Sequence, residues 1–124
     1  MNTTPPAIDY KACMDACQAC VIACNTCAAA CLKESDVQMM AACIAQDLEC
    51  AQICELAVAA MARQSPHAPD ICRLCAQICQ ACADECSKHS HDHCQTCAAA
   101  CQQCAMSCNC LLYTSDAADD TPCV

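Results

Sequence analysis

The feature that most constrains this chain is a repeated spacing of cysteines. Cys13 to Cys31 reads CMDACQACVIACNTCAAAC, with six cysteines at steps of 4, 3, 4, 3 and 4 residues. That is the a/d seam of a helix, with Cys at the positions where a coiled coil carries Leu. The spacing recurs at Cys72, Cys75, Cys79, Cys82 and Cys86, and again at Cys94, Cys97, Cys101, Cys104 and Cys108. A second segment carries the same seam with fewer thiols: Met40, Cys43, Asp47, Cys50, Cys54, Ala57 and Met61. Helical periodicity puts each set on one stripe. Four such stripes, each too narrow to be buried alone, predict a bundle whose axis is lined with sulfur.

Composition agrees with helix. The 124 residues suffice for one domain; they include no glycine, two tyrosines as the only aromatics, and 21 cysteines. Ala, Gln and Glu favour helix, and the absence of glycine disfavours tight turns and sheet bulges. Branched aliphatic residues such as Val21, Ile22, Ile44, Leu48 and Ile53 are too few to fill a four-helix core.

The pattern predicts an all-α, antiparallel up-down-up-down four-helix bundle over residues 1–109, with helices at about 6–33, 36–63, 70–88 and 91–109. Thr4 and Pro5 supply a start signal for the first helix. Ser35 to Gln38 fits a capping box for the second. Gln64 to Pro69 reads as a loop because of its two prolines. Short connections make consecutive helices antiparallel neighbours. One end of the tube then collects Cys31, Met39, Met40, Cys86, Cys94, His89, His91 and His93. The other collects Cys13, Met14, Met61, His67, Cys72 and Cys108. Residues 110–124 carry no seam and are expected to be a disordered tail. Cys110 to Asp120, CLLYTSDAADD, resembles the in-frame translation of a sequencing-library adapter, so this stretch is read as non-native and Cys110 and Cys123 are given no role.

Charge and cysteine usage exclude several classes. The net charge of -9 argues against nucleic acid and anionic membrane surfaces as partners. No apolar run is read as spanning a bilayer. The N-terminus MNTTPPAIDYKAC shows no export signal, so a cytoplasmic location, where thiols stay reduced, is expected.

Buried thiolates are soft ligands that select Cu(I), Zn or iron–sulfur clusters. Residues four apart on a helix have Cβ atoms about 5–6 Å apart, which lets two sulfurs lean onto one ion. Pairs of this kind include Cys20/Cys24, Cys27/Cys31, Cys50/Cys54, Cys75/Cys79 and Cys97/Cys101. A two- or three-coordinate ion such as Cu(I) suits them. One stripe does not offer four tetrahedral corners, which counts against a row of zinc sites. Sulfurs that bridge neighbouring ions bring capacity to roughly one Cu(I) per thiolate, and the charges then nearly cancel. A lone Cys on an apolar face is usually a small hydrophobe, a reading that does not stretch to nineteen on the seams. A dithiol redox protein or a zinc or iron–sulfur binder is the alternative. Against a dithiol enzyme, Cys-x-x-Cys recurs on every helix with no site singled out and no base placed beside it. The chain is therefore read as a non-enzymatic store.

Two stretches resemble a known family. Ser65 to Cys101 (SPHAPDICRLCAQICQACADECSKHSHDHCQTCAAAC) and Glu34 to Met61 (ESDVQMMAACIAQDLECAQICELAVAAM) are similar to the cytosolic copper storage proteins, the Csp family. The resemblance covers about residues 8–109. It implies inward thiols holding many Cu(I) ions, cytosolic copper buffering, and assembly into homotetramers. It also implies that His89, His91 and His93 stand at the tube mouth, where neutral imidazole can pass ions inward. Apart from the resemblance, Asp47 lies on or beside the second seam, where Asp is a poor structural choice, and is read as a weak oxygen ligand or a salt-bridge partner.

Overall fold

The computed structural model describes residues 7–114. It contains α1 (Lys11–Cys31), a 3₁₀ turn η1 (Val37–Met40), α2 (Ala41–Ala62), α3 (Ala68–Cys86) and α4 (Asp92–Thr114), with no strand among the described residues. α1 packs on α2 and α4, and α3 packs on α2 and α4, so the helices close a ring in chain order. This is the up-down-up-down four-helix bundle that short connections dictate.

Boundaries differ from the sequence reading for local reasons. α1 begins at Lys11, several residues later than expected. Its first free N–H, on Lys11, is taken by the Asp9 carboxylate at 3.0 Å, so Asp9 supplies the start signal. Thr4 and Pro5 lie outside the described residues. The capping box at Ser35 does not form: η1 follows Asp36 with no side-chain cap, and α2 follows Met40 with none. Pro69, expected in a loop, sits in the first turn of α3, where its missing N–H costs no helical bond. α4 continues beyond Asn109 to Thr114, and Leu111 packs against the core, so the helix runs into the stretch expected to be a tail. Residues 115–124, Cys123 among them, lie outside the described residues.

With no glycine in the chain, a left-handed helix stop must use another residue. Gln64 takes it, at φ 55°. Ser65 N–H donates to the Ala60 carbonyl at 2.9 Å and Gln64 N–H to Met61 at 3.1 Å, the paired bonds of a Schellman stop. The Gln64 amide then brackets Ile8, accepting from its N–H at 3.1 Å and donating to its carbonyl at 2.9 Å. These bonds offset the left-handed conformation, which costs about 1–2 kcal/mol in a residue with a Cβ. They also strap the N-terminal segment across one end of the bundle. That end is closed by buried Tyr10, Met61, Ala60 and Ala68.

The interior is Cys, Ala and a few Met. Every seam position of α2 is buried, Met40, Asp47, Ala57 and Met61 included. The branched aliphatics flank this interior rather than fill it: Ile22 is 68% exposed and Leu32 63%, Leu48, Leu56 and Leu74 are also exposed, and Val21, Ile44, Val58, Ile71 and Ile78 are half-buried at its margin. Only Ile53 of this set is buried. Small seam residues allow the helices to approach closely, and little room remains for larger side chains. α1 is long and apolar enough, by length and composition, to cross a membrane, which corrects the expectation that no run would be. Cysteine supplies that hydropathy, and the α1 sulfurs are buried against the other helices.

Gln64→Gly relieves the left-handed residue and Gln64→Ala does not, while both lose the strap to Ile8. Urea unfolding of the reduced apo protein is expected to find the glycine variant more stable by about 1 kcal/mol. Equal stabilities would show that the Gln64 backbone carries no strain.

Candidate metal centre

All nineteen seam cysteines are free and buried: Cys13 is 3% exposed and the other eighteen 0%. The 3.5-residue repeat on each helix is what aims them at one axis. Within a helix the i,i+4 sulfurs stand 3.8–3.9 Å apart, as in Cys20/Cys24, Cys75/Cys79 and Cys82/Cys86. The shortest contacts cross between helices: Cys43–Cys86 at 3.2 Å, Cys13–Cys108 at 3.3 Å, Cys17–Cys104 and Cys50–Cys79 at 3.4 Å. The bridging unit is therefore as much between helices as along one.

The sulfurs form overlapping groups of four whose ligand atoms lie within 4.8 Å of one another. Cys20, Cys24, Cys50 and Cys101 form one; Cys20, Cys50, Cys54 and Cys79 form another. Further groups are Cys24, Cys82, Cys97, Cys101 and, near the closed end, Cys17, Cys75, Cys104, Cys108. Cys27, Cys31, Cys43 and Cys94 make the group at the opposite end. Four helices together thus assemble the four-sulfur sets that one stripe does not provide, so the geometric argument against zinc made from a single helix does not hold. What the groups share matters more. Cys20, Cys24, Cys50 and Cys101 each belong to two of them, which joins the three middle groups. Contacts of Cys54 with Cys104 at 3.8 Å, and of Cys86 with Cys82 at 3.9 Å and Cys43 at 3.2 Å, carry the array on to the groups at the two ends.

Asp47 sits inside this array, fully buried. Its Oδ1 accepts S–H bonds from Cys82 at 3.3 Å and from Cys86 and Cys97 at 3.2 Å; Cys43 reaches Oδ2 at 3.8 Å. Among the described residues it makes no salt bridge to a basic side chain, which corrects one half of the sequence reading. Burial pushes the Asp47 carboxyl up to about 9, and the neighbouring Cys97 adds to the rise. Burial likewise pushes the Cys94 thiol up to about 11 and raises Cys43. Hydrogen bonding from Cys108 holds Cys104 down to about 7. Hydrogen bonds from neighbouring thiols also lower Cys13, Cys20 and Cys75, so burial and thiol–thiol hydrogen bonding pull in opposite directions along the array, and wherever a thiol keeps its proton a soft cation displaces it.

The end without the N-terminal strap, called the open end for that reason alone, carries the histidines. His93 Nδ1 lies 3.5 Å from the sulfurs of Cys27 and Cys94 and 3.9 Å from Cys31. His91 stacks on His93, centroids 5.3 Å apart and planes 4° apart. His89 turns its Nε2 to Glu85 at 2.9 Å. Of the three, His93 is the one in contact with the thiols. Met40 is buried at this end, whereas Met39 is 73% exposed and does not join it. His67 is exposed at the other end. The sequence reading missed Glu34. Its signal is invisible locally, because the residue it meets, His93, is 59 positions away.

A helical bundle with a continuous buried thiol array defines a class: a soft-metal-binding bundle that holds its ions inside the core. The family model for copper storage proteins matches residues 7–113, and the chain belongs to that family. It is 52% identical over 78 residues to a cysteine-rich protein of Bacillus subtilis, YhjQ, covering 63% of this chain and 72% of that one. It resembles the solved Cu(I)-bound copper storage protein BsCsp3 at 51% identity and TM-score 0.81, over 83% of this chain and 97% of that one. A cytosolic copper storage protein from Streptomyces lividans, solved with five coppers, shares 36% identity at TM-score 0.82, over 84% and 92% of the two chains.

Asp47 gives a pH test. Its carboxyl titrates near 3.8 when unfolded and near 9 when folded, so folding takes up a proton between those values. Stability from this residue is complete below about pH 4 and is lost as pH rises through 9. Asp47→Asn has no carboxyl there to titrate. The reduced apo variant is expected to match wild type near pH 4 and to exceed it by a few kcal/mol at pH 8, followed by urea unfolding. A gap that does not widen with pH would contradict this.

Proposed function

We propose that this chain stores Cu(I) at high capacity, with the nineteen seam thiols as ligands, and that it buffers or sequesters copper in the cytoplasm without catalysing a reaction. The observation that carries the reading is the continuity of the sulfur array: the middle four-sulfur groups share members, and sulfur contacts such as Cys54–Cys104 and Cys43–Cys86 tie the end groups to them. Shared sulfurs suit bridged Cu(I) clusters, while independent zinc sites would each need four sulfurs of their own. Complete burial also speaks against dithiol redox chemistry, which needs an accessible thiolate. His93 serves as a further ligand at the open end, and His89 and His91 flank the entry. Thiols that keep their protons in the empty state, and copper-thiolate in the filled one, hold the core near electroneutral, which suits burial. The cytoplasm supplies the reduced thiols that the array requires.

Assembly into a homo-oligomer, with a tetramer as the form the family resemblance implies, is supported by the outward aliphatics. Val21, Ile22 and Val58 line an open groove between α1 and α2. Residues 115–124 are read as contributing no ligand.

Anaerobic titration of the reduced protein with Cu(I) against a chromogenic chelator tests the function. Uptake of roughly one ion per seam thiolate is expected, with protons released as thiols give way to metal. Saturation at one or two ions would sink the storage reading, and saturation at roughly four or five, filled equally by Zn(II), would favour zinc. Cutting the chain after Thr114 is expected to leave the stoichiometry unchanged; a loss of ions would assign ligands to the removed segment. Sedimentation of Ile22→Glu beside wild type checks assembly: the variant is expected to sediment as a smaller species.

A further inference from the structure

We infer that Glu34 is a positioning residue, which fixes the tautomer and the aim of His93 so that Nδ1 faces the sulfurs of the open end. The inference rests on the storage reading for its purpose, but its geometry stands in the metal-free protein.

Glu34 belongs to the turn between α1 and η1, which crosses the open end of the tube. His93 lies in the first turn of α4. Closing the bundle brings Glu34 Oε2 to 2.8 Å from His93 Nε2. A carboxylate accepts and does not donate, so Nε2 carries the hydrogen and Nδ1 of the neutral ring keeps its lone pair. That lone pair points at Cys27 and Cys94, each 3.5 Å away, beside the group Cys27, Cys31, Cys43, Cys94. The opposite tautomer would set a lone pair against the carboxylate and an N–H against the sulfurs. Both Glu34 and His93 are largely withdrawn from water, at 29% and 18% side-chain exposure, which strengthens the bond. His91 holds the ring from its face, and its own Nδ1 lies 3.4 Å from the same Glu34 oxygen. The arrangement is carboxylate, imidazole, soft-metal site in sequence, in which the outer carboxylate orients the ligand and raises its basicity. His89 differs: its Nε2 pairs with Glu85 one turn back on its own helix.

The test uses the full-length reduced protein under anaerobic conditions. Long-range proton–nitrogen spectra of the apo form are expected to show His93 protonated at Nε2 and bare at Nδ1. Glu34→Ala is expected to populate the Nδ1–H form. During loading with Cu(I) against a competing chelator, the His93 Nδ1 resonance is expected to move, and in Glu34→Ala its half-point is expected to need roughly 10–100-fold more free Cu(I). Glu34→Gln keeps an acceptor at the same place and is expected to return both readouts towards wild type. A Glu34→Ala protein with the wild-type tautomer and half-point overturns the inference. So does a Glu34→Gln protein whose melting temperature recovers while both readouts stay lost, which would make Glu34 a tie between turn and helix only. Wild type that takes up copper without moving the His93 resonance removes the ligand role and leaves storage intact. Wild type that takes up no copper removes the storage reading, and the apo spectra still decide the tautomer.

Discussion

The contact on which this structure depends is sulfur against sulfur between helices. An ordinary bundle is held by large apolar side chains that interlock; here the interlocking residue is cysteine, with alanine beside it. Cysteine is small and weakly polar, and it tolerates burial as a neutral thiol. It permits close approach of the helices, but each residue removes less apolar area from water than a leucine would. The aliphatic residues make up the difference only in part, since among the described ones Ile53 alone is buried and the rest are half-buried at the margin of the core or exposed. Larger groups supplement the thiols at the ends: Tyr10, Met61 and the Gln64 strap at one, and Met40 with the histidine–carboxylate pairs at the other.

A thiol interior also changes what polar burial costs. Asp47 would be a liability in a hydrocarbon core. In this one it is surrounded by S–H donors from α2, α3 and α4, and its carboxyl stays protonated well into the neutral range. Wherever its thiols keep their protons, the array is a proton-bearing version of a metal-thiolate core. Its charge there changes little when a monovalent soft cation replaces each proton, so the filled and empty states can share one fold.

Much of this was legible in the chain. The Cys13 to Cys31 spacing predicted a buried stripe, and every cysteine on the four seams is buried as that spacing demands. Loop lengths were enough to order the helices, and so to place Cys31, Cys86 and Cys94 at one end. Local signals did worse. The Ser35 box failed because the chain turns there through a 3₁₀ segment that leaves no cap to satisfy. The start of α1 followed Asp9 rather than Pro5, and α4 outran its seam because Leu111 still finds core to pack on. The few aliphatic residues lie beside the sulfur-lined axis rather than on it, half-buried at its margin like Val21 and Ile44 or exposed like Ile22, because the seam positions that point inward are already taken by cysteine.

The site divides in the same way. Periodicity alone determined which side chains turn inward, because a 3.5-residue repeat leaves a helix one choice of face, and it determined the chemical softness of the interior, because the repeating residue is a thiol. Which sulfurs meet was beyond it. The groups of four draw on several helices at once; Cys43 meets Cys86 and Cys20 meets Cys101 only because antiparallel neighbours set their heights. The meeting of Glu34 with His93, and of Asp47 with three α3 and α4 thiols, was likewise decided by tertiary structure. Contacts between residues tens of positions apart depend on helix register and rotation, and those are set by packing rather than by any local pattern.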